Sequence, residues 1–150
     1  MRTIITATPT LDTSAYAAND RLGSLMTLMD NAIMPGKIYL LDELLIVDGA
    51  LQSQAIDVLI FDSLPTIASA DNAAIDFTDA QALKLLGSIS VLAASYKATA
   101  SNSYVLASNQ GIFVSPQSST MALYAQAVCR SGTPTYAANS LQFRFGLRPA

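Results

Sequence analysis

The 150-residue chain contains no histidine, no tryptophan and a single cysteine, Cys129. Without histidine, the sequence lacks the most frequent general base and the most frequent metal ligand in proteins. One cysteine excludes an intrachain disulfide and a zinc site built from several thiolates. We therefore expect Cys129 to be a small buried apolar residue, and we expect no metal and no cofactor.

The common catalytic motifs are also missing. The sequence contains no G-x-S-x-G, S-x-x-K, H-E-x-x-H or C-x-x-C motif, and its seven glycines form neither a dinucleotide-binding fingerprint nor a phosphate-binding loop. A nucleophilic serine would need a base, and without histidine only Lys84, Lys97 or a carboxylate remains. We predict no catalytic residues and a protein that is not an enzyme.

Charged residues make up only 13% of the chain, about half the usual fraction, whereas hydrophobic residues make up 51%. This composition excludes a disordered chain, and 150 residues are enough for one domain with a buried core. No apolar run approaches the roughly 20 residues that span a bilayer, and the N-terminus lacks the pattern of a signal peptide. We expect no association with membranes.

The charges are unevenly distributed. All eleven acidic residues lie between Asp12 and Asp79, and residues 80–150 carry five basic and no acidic residues. So sparse a set of cations, without interleaved aromatic residues, does not predict nucleic-acid binding. Arg144 and Arg148 share one face of a terminal strand, and we expect them to pair with acids of a neighbouring subunit. The charge split predicts strands of opposite charge that meet within one sandwich or between copies of it.

Short apolar and β-branched runs, separated by turn residues, predict about eight or nine strands. The runs are residues 2–8, 37–47, 55–61, 88–96, 103–107, 111–115, 121–130 and 141–147. Residues 21–29 fit a strand or a helix, and 37–47 fits one strand with a bulge near Asp42 and Glu43 or two strands. Turns every 8–12 residues are typical of a β-sandwich or barrel, so we predict a mainly β, single-domain fold.

One segment has the pattern of a helix. Thr78 and Gln81 form a capping box, apolar residues follow, and Gly87 is placed to end the helix. We predict one short helix at about 78–87, which must pack on a sheet because so short a helix is marginal alone. Residues 1–20 are predicted to form a strand and an arm that can lie over a neighbour, and residues 21–150 the sandwich.

Two sets of residues are candidates for a functional site. Asp71, Asn72, Asp76 and Asp79 offer carboxylate and amide oxygens, which suit calcium. Their spacing does not match an EF-hand loop and no glycine lies among them, so a solvated loop before a helix start is the favoured interpretation. Whether Asp71, Asn72 and Asp76 bind a cation stays open.

The second set concerns protein interfaces. Tyrosine, with six residues, is the most frequent aromatic residue, and it is favoured at interfaces because it buries area while its hydroxyl finds a partner. We expect at least half of the tyrosines to pack in the core instead. The candidate interface residues are Tyr16, Asp20, Arg144 and Arg148.

Several phrases of the sequence occur in a characteristic order. They are Asp12-x-x-x-Tyr16-x-x-x-Asp20, the Asp57–Thr66 segment, Ala70–Ala74, Asp79–Gly87, Leu123-Tyr124 and the Thr133–Phe143 terminus. From about Asp12 to Leu147 this order resembles small structural proteins of tailed bacteriophages, of the capsid decoration (cement) type. The resemblance implies a β-sandwich or jelly-roll-like barrel on the outside of an icosahedral head, often as a trimer or dimer. It carries over no site residue.

We therefore expect a non-enzymatic virion protein, made in the host cytoplasm, that binds the outside of a bacteriophage capsid. Its partners would be the major capsid protein and further copies of itself. By bridging capsid subunits it would stabilise the assembled shell by mass action. The alternatives are a tail or head–tail joining structural protein and, disfavoured by the lack of tryptophan, a carbohydrate-binding β-sandwich.

Overall fold

The computed structural model describes residues 1–117 and 122–150, which form two antiparallel β-sheets. The strands are β1 Thr3–Ala7, β2 Arg21–Met29, β3 Tyr39–Asp48, β4 Ile56–Phe61, β5 Leu85–Val91, β6 Lys97–Ala98, β7 Ser103–Ala107, β8 Ile112–Val114, β9 Ala122–Cys129 and β10 Leu141–Pro149. The mainly β sandwich predicted from the sequence is thus confirmed. The first residue of the predicted 121–130 strand, Met121, lies outside the described residues.

The order of the strands identifies the topology. The first sheet has the order β1-β10-β3-β7-β6, with β8 also paired to β3, and the second has the order β2-β9-β4-β5. β7 and β8 pair with successive parts of β3, so they act as one interrupted strand. Counted in this way, four main strands in each sheet follow the two Greek keys of an eight-stranded jelly roll.

The long strand β3 settles one of the open alternatives. It is a single strand, and the register between β10 and β3 shifts between Gly146 and Leu147, which leaves Asp42 without a partner opposite it. This is the bulge expected near Asp42 and Glu43. A bulge bends the strand and increases its local twist, while the chain continues in the same sheet.

The core lies between the two sheets and is filled by alternate residues of each strand. The inward residues of β10 are Leu141, Phe143, Phe145 and Leu147, as their alternation predicts. β9 is buried on both faces: Cys129 packs in the main core, as expected, and Tyr124 packs with Phe61 in a smaller cluster outside the second sheet. Burial also raises the pKa of the Cys129 thiol.

The predicted helix is present but shorter than expected. α1 spans only Asp79–Ala82, and the Thr78 hydroxyl caps it by accepting a hydrogen bond from the Gln81 amide at 3.4 Å. Gly87, expected at the helix end, lies inside β5, because the ladder with β4 satisfies more backbone groups than one further helical turn would. There the missing side chain admits Ile112, whose Cγ2 would lie 3.2 Å from an added Cβ.

The N-terminal segment lies on its own sandwich in this structure. β1 is an edge strand paired with β10, so residues 3–7 belong to the first sheet. Beyond it, the Leu11 amide donates to the Ala138 carbonyl at 2.9 Å, and the Tyr16 amide donates to the Pro134 carbonyl at 2.9 Å. The segment predicted as an arm is therefore held by backbone hydrogen bonds to its own chain.

In the described part of the chain, no helix has the length and apolar character needed to cross a membrane.

Candidate functional site

The outer faces of the two sheets differ in how the chain covers them. Residues 62–84 run outside the second sheet, where Phe77 packs edge-to-face on Phe61 with ring centroids 6.1 Å apart. Phe61 is consequently fully buried although it points away from the main core. The outer face of the second sheet is thus covered over β4 and β9, which explains why β9 is buried along its whole length, whereas outward residues of the flanking strands, such as Met29 of β2 and Ser88 of β5, stay exposed.

The outer face of the first sheet carries an exposed apolar surface, which we call the open face. Cross-strand pairs of β3 with β7 and β8 place its apolar side chains next to each other. The pairs are Val47 with Tyr104, Leu45 with Leu106, and Leu40 with Phe113. Leu106 is 52% exposed and Phe113 is 66% exposed, so this surface faces solvent in the isolated subunit.

Charged side chains surround the apolar centre of the open face. Arg144 Nη2 lies 3.1 Å from Glu43 Oε1, and the Arg2 guanidinium approaches the same carboxylate oxygen. Arg148 Nε lies 3.8 Å from Asp42 Oδ2, beside the bulge of β3. Arg144 and Arg148 therefore pair with acids of their own chain, because β10 and β3 are adjacent strands, and their expected pairing with a neighbour's acids stays a prediction.

The open face keeps an excess of positive charge after this pairing. Two arginines share the single carboxylate of Glu43, and Lys97 of β6 lies opposite the outward-facing Tyr104. Arg144 and Arg148 remain 43% and 58% exposed, so both can still contact a partner. Their predicted role at an interface stays a prediction, and the structure places both on the open face.

The other two predicted interface residues lie away from this face. Tyr16 is only 1% exposed, and its hydroxyl donates to Asp71 Oδ1 at 2.8 Å, so it is a core residue of its own subunit. Burial, with the Asp71 carboxylate beside it, raises the pKa of Tyr16 well above its usual value. Asp20 accepts from the Ala17 amide at 2.7 Å and thus stabilises a turn of the same chain. Of the predicted set, Tyr16 offers the least surface to a partner.

The candidate cation site is a hydrogen-bonded junction. The carboxylate of Asp71 accepts from the Tyr16 hydroxyl at 2.8 Å, the Asp12 amide at 2.9 Å and the Gly23 amide at 2.7 Å. Asn72 Nδ2 donates to Asp12 Oδ2 at 3.0 Å, and this bond lowers the pKa of Asp12. Asp71 thereby joins the N-terminal segment, β2 and the 69–74 loop. Among the described residues, no group of three or more acidic or cysteine side chains is arranged to hold a metal ion.

The remaining acids of that cluster lie on a second surface, formed by residues 62–68 and 76–84, which we call the acidic surface. Asp76 is exposed, and Asp79 occupies the first turn of α1, where a negative charge is favourable. The two stretches are joined by a hydrogen bond from Lys84 Nζ to the Leu64 carbonyl at 2.8 Å. Leu64 and Leu83, the latter 87% exposed, add apolar area.

The sequence reasoning missed the apolar half of the open face. Alternation along 103–107 and 111–115 already places Tyr104, Leu106 and Phe113 on one side of their strands. Apolar residues on both faces of a strand, however, fit a strand covered on both sides equally well. Only the sheet order shows that this side is outside.

The comparisons with known proteins concern the fold. No protein-family model and no curated protein matches the chain. Among solved structures, it is similar at 12% identity to the infectious bursal disease virus VP2 subviral particle, with a TM-score of 0.44 over 98% of this chain and 31% of that chain. The Gx strain of the same virus gives a TM-score of 0.42 over the same shares at 12% identity.

A third structure, Desmodium yellow mottle tymovirus, is 12% identical, with a TM-score of 0.29 over 98% of this chain and 79% of that chain. All three are viral capsid structures. The chain spans about a third of the two infectious bursal disease virus chains. At these scores the jelly-roll assignment depends on the strand order of this chain and not on the likeness.

Proposed function

We propose that the protein is a non-enzymatic structural protein of a virion, which binds the outside of a bacteriophage capsid and stabilises the capsid by bridging its subunits. The open face is the observation that carries the proposal. It is an apolar sheet surface, exposed in the isolated subunit, whereas the outer face of the other sheet is covered over β4 and β9 by residues of the same chain. Contiguous exposed apolar patches on soluble domains mark interaction surfaces.

The open face can form the centre of such a contact. Four strands about 4.8 Å apart, each about 17 Å long, span about 300 Å², and the apolar part on β3, β7 and β8 takes up roughly half of that area. A stable contact between two proteins buries about 800 Å² on each partner, so the rim and neighbouring loops must take part. Arg144 and Arg148 on the rim supply the polar contacts that surround an apolar centre.

The fold is compatible with this function but does not decide it. Jelly rolls occur in viral capsid proteins, lectins and cupins, and function depends on the surface that the fold presents. Here that surface is apolar at its centre and charged at its rim, and its two depressions, beside Arg148 and Leu45, hold only about 100 Å³ and 140 Å³. Those features fit contact with another protein subunit better than a small-molecule pocket, which is concave. A tail or head–tail joining role would use the same kind of surface, and the position on the virion separates the two.

The proposal is tested first by location. An antibody against the purified protein is used to label intact virions for electron microscopy, with pre-immune serum as the control. Label over the head supports the proposal, whereas label confined to the tail assigns the protein to the tail or the joining region. Virions that contain none of the protein by mass spectrometry would overturn a structural role.

The second test concerns the surface. Capsid shells that lack the protein are mixed with wild-type protein or with the Leu106→Asp/Phe113→Asp double variant, and bound protein is measured by co-sedimentation. Each lost apolar contact weakens binding by about 1–2 kcal/mol, so we expect a loss of about 30-fold or more. Leu92→Asp is the matched control, because Leu92 is 65% exposed and lies outside the open face. Equal binding by the double variant would contradict the proposal.

A further inference from the structure

We infer that the open face of one copy binds the acidic surface of a second copy, in a head-to-tail contact between identical subunits. The inference rests on the proposed function, since it names the virion subunit that the open face meets. It starts from charges and apolar residues that the fold leaves on two separate surfaces of one chain.

The first surface is positive at its rim. Four cations lie around the apolar centre of the open face, against only two outward-facing carboxylates of β3, those of Asp42 and Glu43: they are Arg2, Arg144, Arg148 and Lys97. Because those two carboxylates are already in ion pairs, the cations that remain accessible can bind carboxylates of a partner. A partner with acidic and apolar groups side by side would complement this face.

The second surface has that composition. Asp62, Asp76 and Asp79 lie on the acidic surface with Lys84 as its basic residue, and within the described residues none of the three acids takes part in an ion pair. Leu83 is 87% exposed beside them, directly after α1. Such a large apolar side chain in an acidic setting matches the apolar centre and basic rim of the open face.

The two surfaces lie on different parts of one subunit. The open face is the outside of the first sheet, whereas Phe77 of the 62–84 segment packs on the outside of the second sheet, and among the described residues no ion pair joins the two surfaces. Their complementarity is therefore available between copies. A contact between two different patches of the same protein is heterologous, so it closes into a ring or continues as a chain.

A charge swap tests this pairing. Lys97→Glu/Arg148→Glu makes the open face negative, and Asp76→Lys/Asp79→Lys makes the acidic surface positive. Each variant alone presents like charges to its own copies, so sedimentation velocity should show at least tenfold weaker association than wild type. An equimolar mixture again brings opposite charges together, and we expect association to return. Lys37→Glu, at an exposed position that is not among the residues defining either surface, is the control and should associate like wild type.

Folding of every variant is checked by circular dichroism and thermal unfolding before association is measured. Raising the salt from 0.05 to 0.5 M should weaken wild-type association, since exposed charges are screened. Unchanged association of either variant, or a mixture that stays dissociated, would overturn the pairing. A wild-type protein that is monomeric up to millimolar concentration yet binds capsid shells would overturn this inference and leave the proposed function standing. If the wild-type protein associates but is absent from virions, the head-to-tail contact stands and the proposed function is overturned.

Discussion

Removing the carboxylate of Asp71 should destabilise the protein more than any other single change to its acidic loops. This carboxylate accepts hydrogen bonds from the Tyr16 hydroxyl and from the amides of Asp12 and Gly23, at 2.7–2.9 Å. Hydrogen bonds to a charged group contribute about 1.5–3 kcal/mol each, but neighbouring bonds are not additive. We therefore expect Asp71→Ala to lower the free energy of unfolding by about 3–5 kcal/mol.

That loss is large against the total. A domain of this kind has a free energy of unfolding of about 5–15 kcal/mol, so Asp71→Ala should remove about a fifth of it or more. Tyr16→Phe deletes one of the three bonds, together with the bond that the Tyr16 hydroxyl accepts from the Asp12 amide at 2.8 Å, and should cost about 1–2 kcal/mol. If both act through the same bond, the double variant should be less destabilised than the sum of the two single variants, by at least about 0.5 kcal/mol.

The assay is urea unfolding followed by tyrosine fluorescence and circular dichroism. A change in the midpoint at constant slope reports stability, whereas a changed slope would report a different denatured or native state. Asp76→Ala is the matched control, because Asp76 is exposed in the same loop, and it should change the free energy by less than about 0.5 kcal/mol. A loss below about 1 kcal/mol for Asp71→Ala would refute the reasoning that this residue joins three segments.

Three further predictions follow from buried groups. Burial raises the pKa of three tyrosines, so their contribution to stability should be intact below pH 10, the pKa of unfolded tyrosine. Above pH 10 the free energy of unfolding should fall by up to about 1.4 kcal/mol per pH unit for each residue. Ultraviolet titration with parallel unfolding curves measures this fall. The three are Tyr16, Tyr96 and Tyr136. Gly23→Ala should cost about 1–3 kcal/mol in urea unfolding, since Gly23 has φ +78° and its new Cβ would lie 2.9 Å from Leu11 Cδ2. Gln126→Leu should lower the thermal midpoint at a cost of about 1–3 kcal/mol, because the buried amide donates to the Gly23 carbonyl at 3.1 Å; an unchanged midpoint would contradict it.

The strands were predictable because their signal is local. Alternating apolar residues mark one buried face, and the bounds of β4, β7 and β10 lie within two residues of those expected. Alternation survives in the folded protein because each strand packs one face against the core between the sheets. The bulge in β3 was also visible, since Asp42 and Glu43 interrupt an otherwise apolar run.

The end of the helix was not predictable from local pattern. Leu85 and Leu86 fit a helical face, and Gly87 fits a helix end, yet all three belong to β5. The deciding interaction is pairing with β4, more than twenty residues earlier in the chain. Strand pairing, and not local helix propensity, determines the structure where such a long-range ladder satisfies the same backbone groups and buries the same side chains.

In the candidate site, the sequence identifies charged residues but not the distant residues with which they pair. Arg144 and Arg148 were identified by their spacing, and the structure does place them on the open face. Their partners were not identified, because Glu43 and Asp42 are about a hundred residues away and become neighbours only through the sheet order. The same holds for Asp71, whose three donors come from separate segments.

The jelly-roll strand order explains how the acidic and basic halves of the sequence meet in the folded protein. That order places early strands beside late ones, so the acids of β3 meet the arginines of β10, and Asp57 of β4 meets Arg130, directly after β9, at 2.7 Å. Part of the split is thus neutralised within one sandwich. The acids of 62–84 lie outside the paired strands, and the cations of the open face, counting Arg2, outnumber its acids. The unneutralised remainder is therefore divided between two different surfaces of the subunit, which is the arrangement that a head-to-tail contact requires.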